Sequence, residues 1–174
     1  MVVRVAILSA VMVFAASALA QEPKELIAAR RNFEALRHPT EGDRVRYVTR
    51  LVRLRETFTR AQAESMFPID AEVRRHPMPE AAAQTKTLRR RIIGQWQSPR
   101  RPYFYHADGK WLSNEDTPGN TGGTWRIEGN KFFQNYHDMA PDKGETIILL
   151  TDTDFVYGDA PFYLRRGNVF PWRD

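Results

Sequence analysis

Four histidines, at positions 38, 76, 106 and 137, are the first residues in this sequence that could do chemistry. No two of them stand four apart, the spacing that places paired metal ligands on one helix face. His106 and His137 fall on segments that could be neighbouring strands, with Asp108 and Asp138 close by in the chain. A zinc centre needs three or four convergent ligands, so no metal is expected. Cysteine is absent, and with it the thiolate nucleophile, and no Gly-x-Ser-x-Gly occurs. The carboxylates Asp138, Asp142, Asp152, Asp154 and Asp159 lie near turn signals, where Asp usually bonds the local backbone. No acid–base pair stands out. The expectation is a protein that is not an enzyme and carries no cofactor.

Aromatic side chains carry the remaining chemistry. Of 20 aromatic residues, 15 lie from Trp96 onward, so any ligand surface built on rings belongs to the second half of the chain. Tyr103, Tyr105, Trp111, Trp125, Phe132, Tyr136, Phe155 and Tyr157 are the candidate lining, with Arg126 as a partner for an anion. A small barrel either holds one small ligand or is filled by its own side chains. Both readings stay open at this point.

Those rings are preceded by a strongly basic region. Residues 21–101 hold 18 Lys and Arg against 10 Asp and Glu, whereas residues 102–174 hold 7 against 11. A basic face of this kind suits nucleic acid, but the N-terminus points elsewhere. MVVRVAILSAVMVFAASALAQ combines Arg4, an apolar run from Val5 to Ala16 and Ala18-Leu19-Ala20. This is the pattern of a cleaved signal peptide, and the run is too short to span a bilayer. The mature chain is therefore expected to begin near Gln21, after cleavage at Ala20, in the periplasm or outside the cell. No nucleic acid and no transmembrane span are expected. An anionic partner in the cell envelope remains, and so does a plainly solvated helix face.

Residues 21–91 read as helical. Leu26, Ala29, Phe33 and Leu36 follow Pro23 at helical spacing, and His38-Pro39 ends that element. Thr40-Glu41-Gly42-Asp43 has the form of a capping box. Beyond it, Val45, Val48, Leu51, Val52, Leu54, Phe58 and Ala61 make an apolar stripe, with Arg46, Arg50, Arg53 and Arg60 on the far side. The two segments predict an antiparallel helical hairpin. FPIDAEVRRHPMP, residues 67–79, carries three prolines and reads as an irregular connector. From Pro79, PEAAAQTKTLRRR reads as a third helical stretch.

Residues 92–174 read as strands. Tyr103 to Leu112 makes a hairpin around Asp108-Gly109, and Thr124 to Tyr136 another around Gly129-Asn130. Short runs at 145–151, 154–157 and 162–166, with the segment around Trp96, bring the number to about eight. SNEDTPGNTGG, residues 113–123, reads as the longest loop. Phe132 and Phe133, Ile147 and Ile148, and Tyr103 and Phe104 place rings or branched chains on both faces of a strand. The outside of the sheet must then be partly covered, and the helical hairpin is the available cover. The fold class is α+β: a helical hairpin followed by a small antiparallel up-and-down β-barrel, packed as one unit.

Gly94-Gln95-Trp96 resembles the Gly-x-Trp that opens lipocalins, and Thr153-Asp154-Phe155 resembles their later Thr-Asp-Tyr with Phe for Tyr. Arg165 or Arg166 falls where that family packs an Arg over the Trp. GTWRIEGNKFF and FYLRRG are similar to short lipocalin-like domains of bacterial secreted proteins. Over residues 92–171 the resemblance implies a calycin-type barrel closed at the Trp end, with Gly94, Trp96 and one of the two arginines as structural closure and a ligand mouth opposite. The functional expectation is an exported, non-enzymatic lipocalin-like protein that binds a small apolar or amphipathic ligand. The alternative is a cell-envelope interaction module that uses the basic helices or the 113–123 loop.

Overall fold

The computed structural model describes residues 22–113, 121–136 and 143–167. The signal-type segment, most of the 113–123 loop, and His137, Asp138 and Asp142 lie outside the described residues. Among those described, four α-helices precede eight strands: α1 (Lys24–Glu34), α2 (Glu41–Arg55), α3 (Ala63–Arg74), α4 (Thr85–Ile92), then β1 (Gly94–Gln97), β2 (Pro102–Tyr105), β3 (Lys110–Ser113), β4 (Thr121–Glu128), β5 (Lys131–Tyr136), β6 (Glu145–Leu150), β7 (Asp154–Tyr157) and β8 (Phe162–Arg166). Each strand pairs antiparallel with the next and β8 closes on β1, giving an up-and-down barrel in sequence order. The two turns read from Asp108-Gly109 and Gly129-Asn130 join β2 to β3 and β4 to β5. Ser113 and residues 121–123 are strand rather than loop, so the 113–123 connection is shorter than its composition implied.

Thr40 caps α2 as its spacing predicts: its hydroxyl accepts from the Asp43 amide while Asp43 accepts from the Thr40 amide. The helix stops at Arg55 rather than reaching Ala61, because Thr59 and Gln62 form a second capping box that opens a 3-10 turn leading into α3. The connector reading of residues 67–79 is overturned over 67–74, while residues 75–79 are irregular as expected. Pro68 lies inside α3, where it forfeits one backbone bond to the Glu64 carbonyl. Burial of Met66, Ile69 and Val73 offsets that loss. Glu72, also buried on α3, ties three helices together. It accepts from Arg30 of α1 at 3.0 Å, from the Tyr47 hydroxyl of α2 at 2.8 Å and from Arg75 at 3.1 Å. His76, weighed above as a metal ligand, sits 3.1 Å from the same carboxylate. The hairpin therefore has a third member. The stretch after Pro79 is likewise two pieces, a 3-10 turn at Glu80–Ala82 and then α4.

Two apolar layers share the β6–β8 wall. Ile147, Leu150, Phe155, Tyr157 and Leu164 face the barrel interior. Ile148, Leu149, Val156 and Tyr163 face outward against Leu26, Val48, Leu51, Ile69 and Val73 of α1–α3. A register shift between Ile147 and Leu149 lets two successive residues of β6 face the helices. This is the cover that the two-faced strands required. Phe133 is covered differently: the Arg126 guanidinium lies over its ring at 3.8 Å.

Candidate functional site

One end of the barrel is a plug. The Trp96 side chain is fully buried, and its indole N–H donates to the Ile92 carbonyl at 2.6 Å. Arg166 lies over the indole at 4.3 Å. Its guanidinium donates to the carbonyls of Ile93 at 3.0 Å, Asp152 at 2.9 Å and Arg91. Of the two arginines named from sequence, Arg166 makes the closure. Arg165, on the other face of β8, pairs with Glu56 and Asp154. Burial lowers the Arg166 guanidinium below its ordinary value. Leu88 and Ile92 bring α4 across this end, into the same cluster as Trp96, Trp125 and Ile127. Gly94 sits where α4 turns into β1, with φ +123°, and a Cβ there would stand 2.8 Å from the Arg166 guanidinium. Gly94→Ala is expected to cost about 1–3 kcal/mol through backbone strain, read as a lower urea midpoint with an unchanged slope.

The interior between the two ends is filled. Tyr103, Tyr105, Trp111, Trp125, Phe132 and Tyr157 all belong to one buried cluster with Phe155. Their rings meet mainly edge to face: Phe132 with Phe155 at 5.1 Å, Tyr105 with Phe132 at 5.7 Å, Trp111 with Tyr136 at 5.0 Å. These separations are those of packed aromatic pairs. The Trp111 and Trp125 indoles donate to the carbonyls of Asn135 and His106. Gly123 permits this packing, since a Cβ there would stand 1.7 Å from the Asn135 carbonyl oxygen. Arg126 does not face the interior: it is exposed, pairs with Glu128 at 2.6 Å and caps Phe133 from outside. Arg126 is therefore no anion partner for the barrel interior.

The opposite end is polar and concave. The Tyr105 and Tyr157 hydroxyls donate to Gln134 Oε1 at 3.2 and 3.4 Å. Burial holds both phenols well above their ordinary value, so they stay protonated donors. Above them lies a cleft of about 270 Å³ bounded by Tyr103, Tyr136, Glu145, Tyr157 and Phe162. Tyr136 is half-buried there. A second hollow of about 550 Å³ adjoins it and shares the Tyr103 and Phe162 side chains. Of the candidate lining residues, Tyr103, Tyr136 and Tyr157 reach this end. Trp125 and Phe132 lie deeper, in the core.

Several helix arginines are spent inside the molecule. Arg53, expected on the wet side of α2, reaches the barrel and grips Asp154 with two bonds of 2.7 and 2.8 Å. Asp154 is buried, and Arg165 stands 3.3 Å away on its other side. Arg44, also buried, donates to the carbonyls of His76 and Ile148. Arg55 bonds Asp70 at 2.6 Å and lies 4.1 Å over the Tyr163 ring. Arg46 and Arg50 are exposed as expected, while the Arg60 side chain lies outside the described set. Sequence reading missed this clamp because Asp154 stands 101 positions beyond Arg53.

Among the described residues, no three His, Asp or Glu side chains converge as a metal site, and no helix is long and apolar enough to cross a membrane. The fold and its ends define a class: a closed eight-stranded up-and-down barrel, plugged at one end, filled by aromatic side chains and clamped to a helical layer. Compared with protein-family models, curated proteins and solved structures, the chain matches none of them.

Proposed function

We propose that this is an exported, non-enzymatic barrel protein of lipocalin kinship that binds a small amphipathic molecule at the mouth of the barrel, not in its interior. The observation that carries the reading is the contrast between the two regions. The interior is ring against ring, whereas the mouth offers tyrosine faces and phenolic groups around an unfilled cleft. Rings with a polar edge suit a ligand that is part apolar and part wet. Export is supported by the signal-type residues at the N-terminus, and kinship by the order of Gly94-Gln95-Trp96, Thr153-Asp154-Phe155 and Arg166 on a barrel of this topology. The alternative, a basic helical face for an anionic envelope partner, is weakened because the arginines at 30, 44, 53 and 55 are already paired within the fold.

N-phenyl-1-naphthylamine, a neutral two-ring dye whose emission rises on leaving water, is the probe. Saturable one-to-one binding is expected, and Tyr136→Ala should weaken it about tenfold, or about 1.4 kcal/mol. Absence of saturation, or an affinity untouched by Tyr136→Ala, would remove the mouth as the binding site.

A further inference from the structure

The larger hollow beside the mouth has an unusual electrostatic composition. Among the described residues, its walls are Arg55, Arg100 and Arg101, the prolines 99 and 161, and the aromatic rings of Tyr103, Phe162 and Tyr163, with no carboxylate among them. Arg55 is compensated by Asp70 just outside the hollow. Among the described residues, neither Arg100 nor Arg101 has a carboxylate within ion-pair distance, in contrast to the clamped arginines of α1 and α2.

The backbone that carries the two arginines is a constrained turn. Ser98 is buried, and its hydroxyl accepts from the Arg100 and Arg101 amides at 3.2 and 3.1 Å and donates to the Arg101 carbonyl at 2.8 Å. Arg101 is further oriented by its Nε, which donates to the Tyr103 hydroxyl at 3.1 Å. The Arg101 cation, held in place, loses less entropy on meeting an anion, so each of its hydrogen bonds to that anion is worth more. Glu145, on the wall of the smaller cleft, repels an anion from that side.

We infer that the mouth ligand is an anion: a carboxylate, sulfonate or phosphate on a small apolar or aromatic body. Its acidic group sits between Arg100 and Arg101, and its apolar part crosses the Tyr103–Phe162 ridge into the tyrosine cleft. The inference rests on the mouth being a binding site and adds the charge of what binds there.

1-Anilino-8-naphthalenesulfonate has the same rings as the neutral dye plus one sulfonate, so the pair isolates the charge. The sulfonate dye should bind at least about tenfold tighter than the neutral one, with an affinity that falls as salt rises. Arg100→Gln/Arg101→Gln should erase that advantage, bringing the ratio of the two dye affinities to within about twofold. Arg50→Gln, which removes an exposed arginine of α2, should change neither. Equal affinities for the two dyes, or a sulfonate advantage that survives the double variant, would overturn the anion assignment and leave the mouth reading standing. Saturable binding of neither dye would overturn both. Sedimentation with phosphatidylglycerol vesicles distinguishes the source of the anion. Co-sedimentation lost in the double variant would place it on a lipid headgroup, and no co-sedimentation places it on a free molecule.

Discussion

Trp96→Ala should destabilise the protein by about 3–5 kcal/mol, the range for truncating a buried large aromatic. Three effects act together. The emptied volume lies in the packed interior where Trp96 meets Phe155 at 5.8 Å, and surroundings of this kind relax only partly. The Ile92 carbonyl loses its 2.6 Å donor at the point where α4 meets the barrel. The Arg166 guanidinium loses the ring beneath it, a contact worth up to about 2 kcal/mol when desolvated. Against a total stability of about 5–15 kcal/mol for a domain, such a loss brings the chain close to unfolding. Trp96→Phe separates the effects, because it keeps a ring but not the donor, and should cost about 1–3 kcal/mol. Urea unfolding followed by far-ultraviolet circular dichroism measures both variants. An unshifted midpoint for the alanine variant would remove Trp96 from the core.

The second large effect concerns the clamp between helices and barrel. Asp154→Asn should cost about 2–3 kcal/mol, below the about 3–5 of a fully buried broken pair because Arg53 keeps access to water. Burial alone would raise the Asp154 carboxyl, but hydrogen bonds from Arg53 and Thr153 and the charge of Arg165 outweigh it and hold it below the ordinary value. The folded state thus takes up this proton less readily than the unfolded chain does. Its contribution is full above the unfolded carboxylate value of about 4 and is lost as pH falls through the lower folded value. Glu72 behaves in the same sense: Tyr47, His76 and Arg30 overcome its burial. Wild-type protein should therefore lose stability steeply below about pH 4, and Asp154→Asn should flatten part of that slope. An Arg53→Gln/Asp154→Asn cycle at pH 7 should return a coupling of about 1 kcal/mol or more. Additive losses would mean that the pair does not act as a unit.

The barrel was legible where its signals are local. Asp108-Gly109 and Gly129-Asn130 are turn chemistry written in adjacent letters, and β7 and β8 have the limits that the short apolar runs implied. The plug was legible because Gly94, Trp96 and an arginine on the last strand occur in a recognisable order. Prolines misled the reading of residues 67–74, since proline argues against helix and only tertiary burial of Met66, Ile69 and Val73 reverses it. Arg126 was placed inside although the alternation Trp125-Arg126-Ile127 already assigns it to the outer face once both neighbours are buried. Whether the barrel is filled depends on strand length and ring orientation, which no spacing reveals. The Arg53–Asp154 clamp and the Arg100–Arg101 hollow were missed for another reason. A charged residue on a helix or turn looks solvated until the partner, or the lack of one, is visible in space.

Exchange of the Trp96 indole proton with solvent tests the central claim, that the barrel is a closed, filled core with its function at the mouth. Held on the Ile92 carbonyl beneath Arg166, that proton should exchange only when the whole domain unfolds, at a rate that tracks global stability and slows under saturating dye by the factor by which binding stabilises the fold. Exchange far faster than global unfolding, or a resonance that shifts when dye binds, would mean that the cylinder is open or that the ligand enters it.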